Sequence, residues 1–261
     1  MTPMLDLRRE IRRDPLSIPG LDEIPDEERA VALDNWQKRM VSEHASARVF
    51  AALIPKLMAA GVARRHVAAV SAMIGQELDH AVLCAKVVAA LGGDVQMPLP
   101  PLSAVPAHED ASPREGLLRD VISVSCCSET VAVALVATER EQAGTPSLRG
   151  VLGKILADEV KHARFGWRLL DEVGPALDAR TKRRLSAYLV VAFEHQIAFH
   201  SPFLQLPSVS DRAVSLGAPD GPSNWRVFVD TITQVTIPGL ARHGLESERA
   251  WNQATATAIA A

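Results

Sequence analysis

Two copies of Glu-x-x-His constrain this chain more than any other feature: Glu77-Leu78-Asp79-His80 and Glu159-Val160-Lys161-His162. Residues three apart project from nearly the same face of an α-helix. Each pair can therefore offer one oxygen and one nitrogen to a single metal ion. One copy alone would mean little. With 16 glutamates and 8 histidines in 261 residues, random placement yields roughly half a match. Two copies on separate helices need another explanation.

Apolar periodicity places both motifs on long helices. A first helix is expected from Asp26 toward Leu53, led by Pro25 and three acids, with Trp36, Met40, Glu43, Ala47 and Phe50 on one face. Pro55 should kink or stop it, and Gly61 closes the turn. The second runs from about Ala63 to Leu91, with Val70, Met73, Glu77, His80, Cys84 and Val87 facing inward. Residues 94–113 contain Pro98, Pro100, Pro101 and Pro106 and read as a long crossover, which makes the second and third helices parallel. Ser112, Pro113 and Glu115 start the third helix. It extends to Gln142 with Ile122, Cys126, Glu129, Val133 and Val136 in its stripe. Thr145 and Pro146 start the fourth, which reaches Val173 and carries Leu152, Ile155, Glu159, His162 and Gly166 inward.

The chain then divides into an N-terminal arm (1–25), a four-helix bundle (26–174), and C-terminal helices (175–261) packed on the same domain. The arm reads as irregular or as a short helix, with a turn at Pro19-Gly20. The C-terminal part reads as a helix from 176 to 200, a loop over 203–221, a helical stretch over 223–239 bent at Pro238, and a last helix from 246. No strand alternation persists, so the fold class is all-α.

Four helices thus carry one inward acid each, in the order Glu43, Glu77, Glu129, Glu159, and two add His80 and His162. Unpaired carboxylates are expensive to bury. Two divalent cations remove the cost, because carboxylates can bridge both ions while each histidine terminates one. Composition excludes several other classes. Net charge is -3 with acids and bases nearly balanced, so no nucleic-acid footprint is present. No uncharged run is long enough to span a bilayer. The three cysteines, Cys84, Cys126 and Cys127, form no Cys-x-x-Cys and point to a reducing compartment. The expectation is a cytoplasmic protein, bound neither to DNA nor to a membrane.

Over roughly residues 26–173, the chain resembles the ferritin-like di-iron carboxylate proteins. Glu43, Glu77, His80, Glu129, Glu159 and His162 match their six-ligand pattern. Asp158 matches an acid that, in bacterial multicomponent monooxygenases and ribonucleotide reductase small subunits, orients a ligand histidine from behind. The matching place in the second helix is Gln76, so the two halves of the site are not equivalent. Other positions depart from the family. Cys84 stands where the reductases carry a radical tyrosine, and the chain's one tyrosine is Tyr188. Val133 replaces the active-site threonine of soluble methane monooxygenase; Thr130 is adjacent to Glu129 but points elsewhere. The chain lacks the rubredoxin module usual in rubrerythrins.

The resemblance implies two iron ions, with Fe/Mn or Mn/Mn as alternatives, and O2 as co-substrate. It implies an O2-activating oxygenase or oxidase acting by hydroxylation, N-oxidation or desaturation. Apolar neighbours of the ligands, among them Met73, Cys84, Cys126 and Ile155, suit a small or moderately apolar organic substrate. The competing reading is a ferroxidase or a peroxide-scavenging, rubrerythrin-like protein. An electron-donor protein and a homodimer are compatible partners. His44 faces away from Glu43 and reads as a surface or outer-layer residue. His195 and His200 are candidates for a seventh ligand, although a structural or exposed role fits both better.

Overall fold

The computed structural model describes residues 3–12, 15–101 and 105–260; the arm's Met1, Thr2, Arg13 and Asp14 lie outside these. The protein is all-α, apart from one short ribbon. Helix α1 (Asp26–Ala59) buries Ala32, Trp36, Met40, Ala47, Phe50, Leu53 and Leu57, a stripe at intervals of three, four and seven. It does not stop at Pro55. The proline removes a single donor near the helix end, while Leu53 and Leu57 on either side are fully buried and hold the last turn in place. Helix α2 (Arg64–Ala90) follows after a tight turn.

The third helical stretch has three parts. Helix α3 (Pro113–Val121) is capped by Ser112, whose side chain accepts from the Glu115 N–H. A π-helical segment follows at Ile122–Ser128, and α4 (Glu129–Gln142) continues it. An uninterrupted α-helix was expected here. The hydroxyls of Ser128 and Thr130 reach the carbonyls five residues back, Ser123 at 3.1 Å and Ser125 at 3.4 Å, which fits the wider turn. The segment lies against Gly166 of α5 (Pro146–Val173). A Cβ on Gly166 would stand 2.5 Å from the Ser125 Cβ and 2.9 Å from the Cys126 sulfur. Gly166→Ala is accordingly expected to cost about 1–3 kcal/mol, seen as a lower urea midpoint with an unchanged slope.

Ion pairs fix the directions of these helices. Arg39 of α1 meets Glu139 of α4, and Lys56 of α1 meets Asp120 of α3; α1 is therefore antiparallel to α3–α4. His66 of α2 meets Glu172, and Gln76 bonds Asp158, so α2 is antiparallel to α5. Short turns join α1 to α2 and α4 to α5. Helices α2 and α3–α4 consequently run parallel.

The crossover carries a feature that the sequence reading missed. Strand β1 (Met4–Asp6) pairs antiparallel with β2 (Gln96–Pro98), with Leu5 opposite Met97. Three residues are too few to show a period of two. Leu5 and Leu7 are buried beneath the ribbon, which seats the N-terminal segment on the helices. The crossover's far end is held by charged groups. Asp120 accepts from Lys56 and from His108 at 2.9 Å. Arg119 makes two 2.9 Å bonds to Asp110, and Arg184 contacts both Asp110 and Glu115.

Helix α6 (Ala179–His200) starts at Asp178, which caps Thr181, rather than at Ala176. The expected loop over 203–221 contains a short helix, α7 (Asp211–Ser215). Helix α8 (Gly221–Thr231), a second π-helical segment (Ile232–Thr236) and α9 (Ile237–Arg242) lead to α10 (Ser247–Ala260).

Buried apolar side chains form two clusters. One joins the 50–57 end of α1 to the start of α2, the π segment, the second half of α5 and the C-terminal helices. The other joins the start of α1 to the end of α2, the end of α4, the start of α5 and the N-terminal segment. The stretch Pro113–Gln142 is apolar enough, by length and composition, to cross a membrane, but half of that window is buried in the protein. Its apolarity serves the core.

Candidate metal centre

Between the two apolar clusters lies a polar layer, one residue set per long helix. Glu43 of α1, Glu77 and His80 of α2, Glu129 at the start of α4, and Glu159 and His162 of α5 come together there. All but Glu43 are buried; the Glu43 side chain keeps 14% of its surface exposed. The helical period explains the convergence. Each of the six stands in the same stripe as the core residues before and after it, so packing the stripes brings them together.

The six residues form two groups, each small enough to surround one ion. Glu43, Glu77, His80 and Glu159 place one ligand atom each within 4.8 Å of the others; so do Glu77, Glu129, Glu159 and His162. Glu77 and Glu159 belong to both groups. Glu43 with His80 terminates one, and Glu129 with His162 terminates the other. Nδ1 of His80 lies 3.3 Å from Glu43 and from Glu159. Nδ1 of His162 lies 3.0 Å from Glu77 and 3.4 Å from Glu159.

The chemistry of this donor set fits a cation. Nδ1 of both histidines and one oxygen each of Glu77 and Glu159 are buried without a hydrogen-bond partner, although such atoms are normally satisfied. All four belong to groups that meet in the polar layer. In the absence of metal, protons hold the layer together. Burial pushes the Glu77 carboxyl up to about 7, with His162 opposing and Glu159 and Glu43 adding to it. Burial and then Glu159 push Glu129 well up. Burial would also raise Glu159, but its close neighbours Glu129, His162 and His80 hold it low. Burial works against charge on both histidines, yet the carboxylates win. Glu159 and Glu43 bring His80 up to about 10; Glu129, Glu159 and Glu77 bring His162 up to about 12. Two divalent ions would replace these protons, leaving four carboxylates balanced by four positive charges.

Asp158 and Gln76 stand behind the histidines. Gln76 does not supply the carboxylate that Asp158 does, but its Oε1 lies 3.0 Å from Nε2 of His162. The halves differ in the charge of the acceptor, and both have one. Asp158 reaches across to His80 of the other helix, Nε2 to Oδ2 3.4 Å.

Other candidates are placed apart from the ligands. Cys84 is buried, its thiol pushed up by burial and by the Glu43 carboxylate. Cys126 packs against Gly166, one turn beyond His162. Neither cysteine is among the groups able to share an ion in the described residues. Thr130 accepts from the indole N–H of Trp167 at 3.1 Å. His195 is exposed. His200 stacks on Phe228 with ring centroids 4.5 Å apart, and burial holds it down at about 4; neither histidine belongs to the ion-sized groups among the described residues. Tyr188 packs on His108 and Arg119 at the crossover's far end. Two shallow surface hollows also lie elsewhere, one against Leu16, Lys86 and Ala90 and one between α6 and α10.

Fold and site together define an all-α protein with a buried glutamate–histidine cluster sized for metal. Comparison with protein-family models, curated proteins and solved structures gives no match for this chain.

Proposed function

We propose that this chain is a ferritin-like di-metal carboxylate protein, and that it is an O2-activating di-iron oxygenase or oxidase. One observation carries the reading: Glu77 and Glu159 each belong to both ion-sized groups, while one histidine terminates each. Shared carboxylates flanked by terminal histidines are the arrangement of di-iron and di-manganese bundles. The parallel course of α2 and α3–α4, with its long crossover, supports the same assignment.

Bound iron would supply the electrons for reducing O2. The chain's own residues do the rest. Glu77 and Glu159 would each offer an oxygen to both ions. His80 and His162 present Nδ1 inward. Glu43 and Glu129, one in each group, keep 14% and 11% of their side chains exposed and are the two least buried of the six. Phe50, its ring centroid 5.1 Å from that of His162, and buried Ile155 and Cys84 give the layer apolar neighbours. Such surroundings suit a small or moderately apolar organic substrate, by hydroxylation, N-oxidation or desaturation.

The test is anaerobic loading with Fe(II), followed by exposure to O2. Two irons per chain by anomalous scattering, and O2 uptake coupled to a chemical donor and an oxidised organic product, are expected. Ferric mineral growing well beyond two irons, or peroxide consumption without an organic product, would establish the ferroxidase or peroxide-scavenging reading instead.

A further inference from the structure

The groups behind the two histidines are connected to one another. Nε2 of Gln76 donates to Oδ1 of Asp158 at 3.0 Å, and Oε1 of Gln76 faces Nε2 of His162 at 3.0 Å. Oδ2 of Asp158 faces Nε2 of His80 at 3.4 Å. Lys161 adds a 2.7 Å bond to Oδ1 of Asp158. The antiparallel course of α2 and α5 explains the crossing. Each helix places the residue before its glutamate against the other helix's histidine. An unbroken chain, His80–Asp158–Gln76–His162, therefore runs along the outside of the polar layer.

We infer that Asp158 and Gln76 are positioning residues that form one bridge, through which the Asp158 carboxylate sets the tautomer of both ligand histidines. The inference rests on the di-metal reading above. A carboxylate only accepts, so Gln76 must turn its amino group toward Asp158. Its carbonyl oxygen is thereby aimed at His162, and this oxygen can only accept. His162 must then carry its hydrogen on Nε2, which leaves the Nδ1 lone pair for a metal. His80 meets Asp158 directly and is fixed the same way. A ligand histidine needs such an acceptor behind it; here one carboxylate serves two histidines, the second through an amide relay.

The polarity of the bridge makes its variants distinguishable. Gln76→Leu removes the acceptor of His162 alone. Asp158→Ala removes the acceptor of His80 and the anchor that orients Gln76. Asp158→Asn has one oxygen and one amino group. It can present its oxygen to His80 or to Gln76, but not to both, so one histidine is always left in the wrong tautomer.

The experiment is Co(II) titration of the full chain, followed by absorption, with proton spectra of the loaded protein in water and in D2O. The native chain is expected to take two ions and show two exchangeable, hyperfine-shifted imidazole N–H resonances. Gln76→Leu and Asp158→Asn should each weaken one ion by about 10–100-fold and perturb one resonance, whereas Asp158→Ala should weaken both ions by about that factor. A merely structural role would lower the metal-free melting temperature and leave both resonances in place. If Asp158→Ala weakens only one ion, or neither, the bridge is overturned and the di-metal reading stands. If the native chain takes fewer than two ions, the di-metal reading fails and the bridge fails with it.

Discussion

Glu159→Ala is expected to release both metal ions, whereas His162→Ala should release one. The difference follows from which groups each residue serves. Glu159 is shared by the two ion-sized groups, and His162 belongs to a single one. Removing a shared carboxylate takes an oxygen from each ion and one negative charge from between a pair of adjacent dications. Their mutual repulsion in a buried site then has less to offset it. Removing His162 leaves Glu43, Glu77, His80 and Glu159 intact around the other ion. Metal analysis after reconstitution and desalting reads the result: none for Glu159→Ala, one equivalent for His162→Ala, two for the native chain. Circular dichroism should show helix retained in both variants. Two equivalents in Glu159→Ala would mean that the ligand set is wrong.

Metal loading should also stabilise the fold, and the effect should fade with acidification. Each ion present at about one hundred times its dissociation constant adds about 2.7 kcal/mol, or about 5–10 °C in Tm for a chain of this size. In the metal-free protein, protons occupy the cluster, with His80 up at about 10 and His162 up at about 12. Metal binding must expel the protons on the inward nitrogens. Lowering pH favours the protonated form and opposes loading. The gap in Tm between loaded and chelator-treated protein should therefore narrow from mildly alkaline to mildly acidic solution. Calorimetry on both forms across that range tests it. A gap that widens on acidification would contradict the assignment of the histidines as ligands.

The six converging residues were legible in the sequence for a physical reason. Helical period turns spacing into direction, and an acid within an apolar stripe must meet something inside the protein. Signals that depend on tertiary contact were not legible. The π segment at Ile122–Ser128 lies where Gly166 lets two backbones approach, and nothing local to residues 122–128 reports that neighbour. Strands β1 and β2 are too short for alternation to register. Asp110, Glu115, Arg119 and Arg184 look like a solvated charged surface in one dimension, yet they hold the end of the crossover. The contact of Gln76 with His162 was not legible, because a sequence gives the residue type and not the orientation of its amide. Pro55 was overvalued as a helix stop because the burial of Leu53 and Leu57 could not be weighed against one missing N–H. The structural role that fits His200 better in the sequence is the stack on Phe228, a tertiary contact that no local pattern names.

The polar layer divides the apolar interior in two, and this bears on how the molecule opens. The two apolar clusters are separate on either side of the polar layer, so bound cations would act as a rivet between them. Chelation should turn one cooperative unit into two subunits of folding with separate opening energies. Amide exchange should then accelerate first around residues 43–47, 77–80 and 159–162, in the middle of long helices, where exchange is ordinarily slowest. The helix ends, gripped by the two apolar clusters, would outlast their own centres.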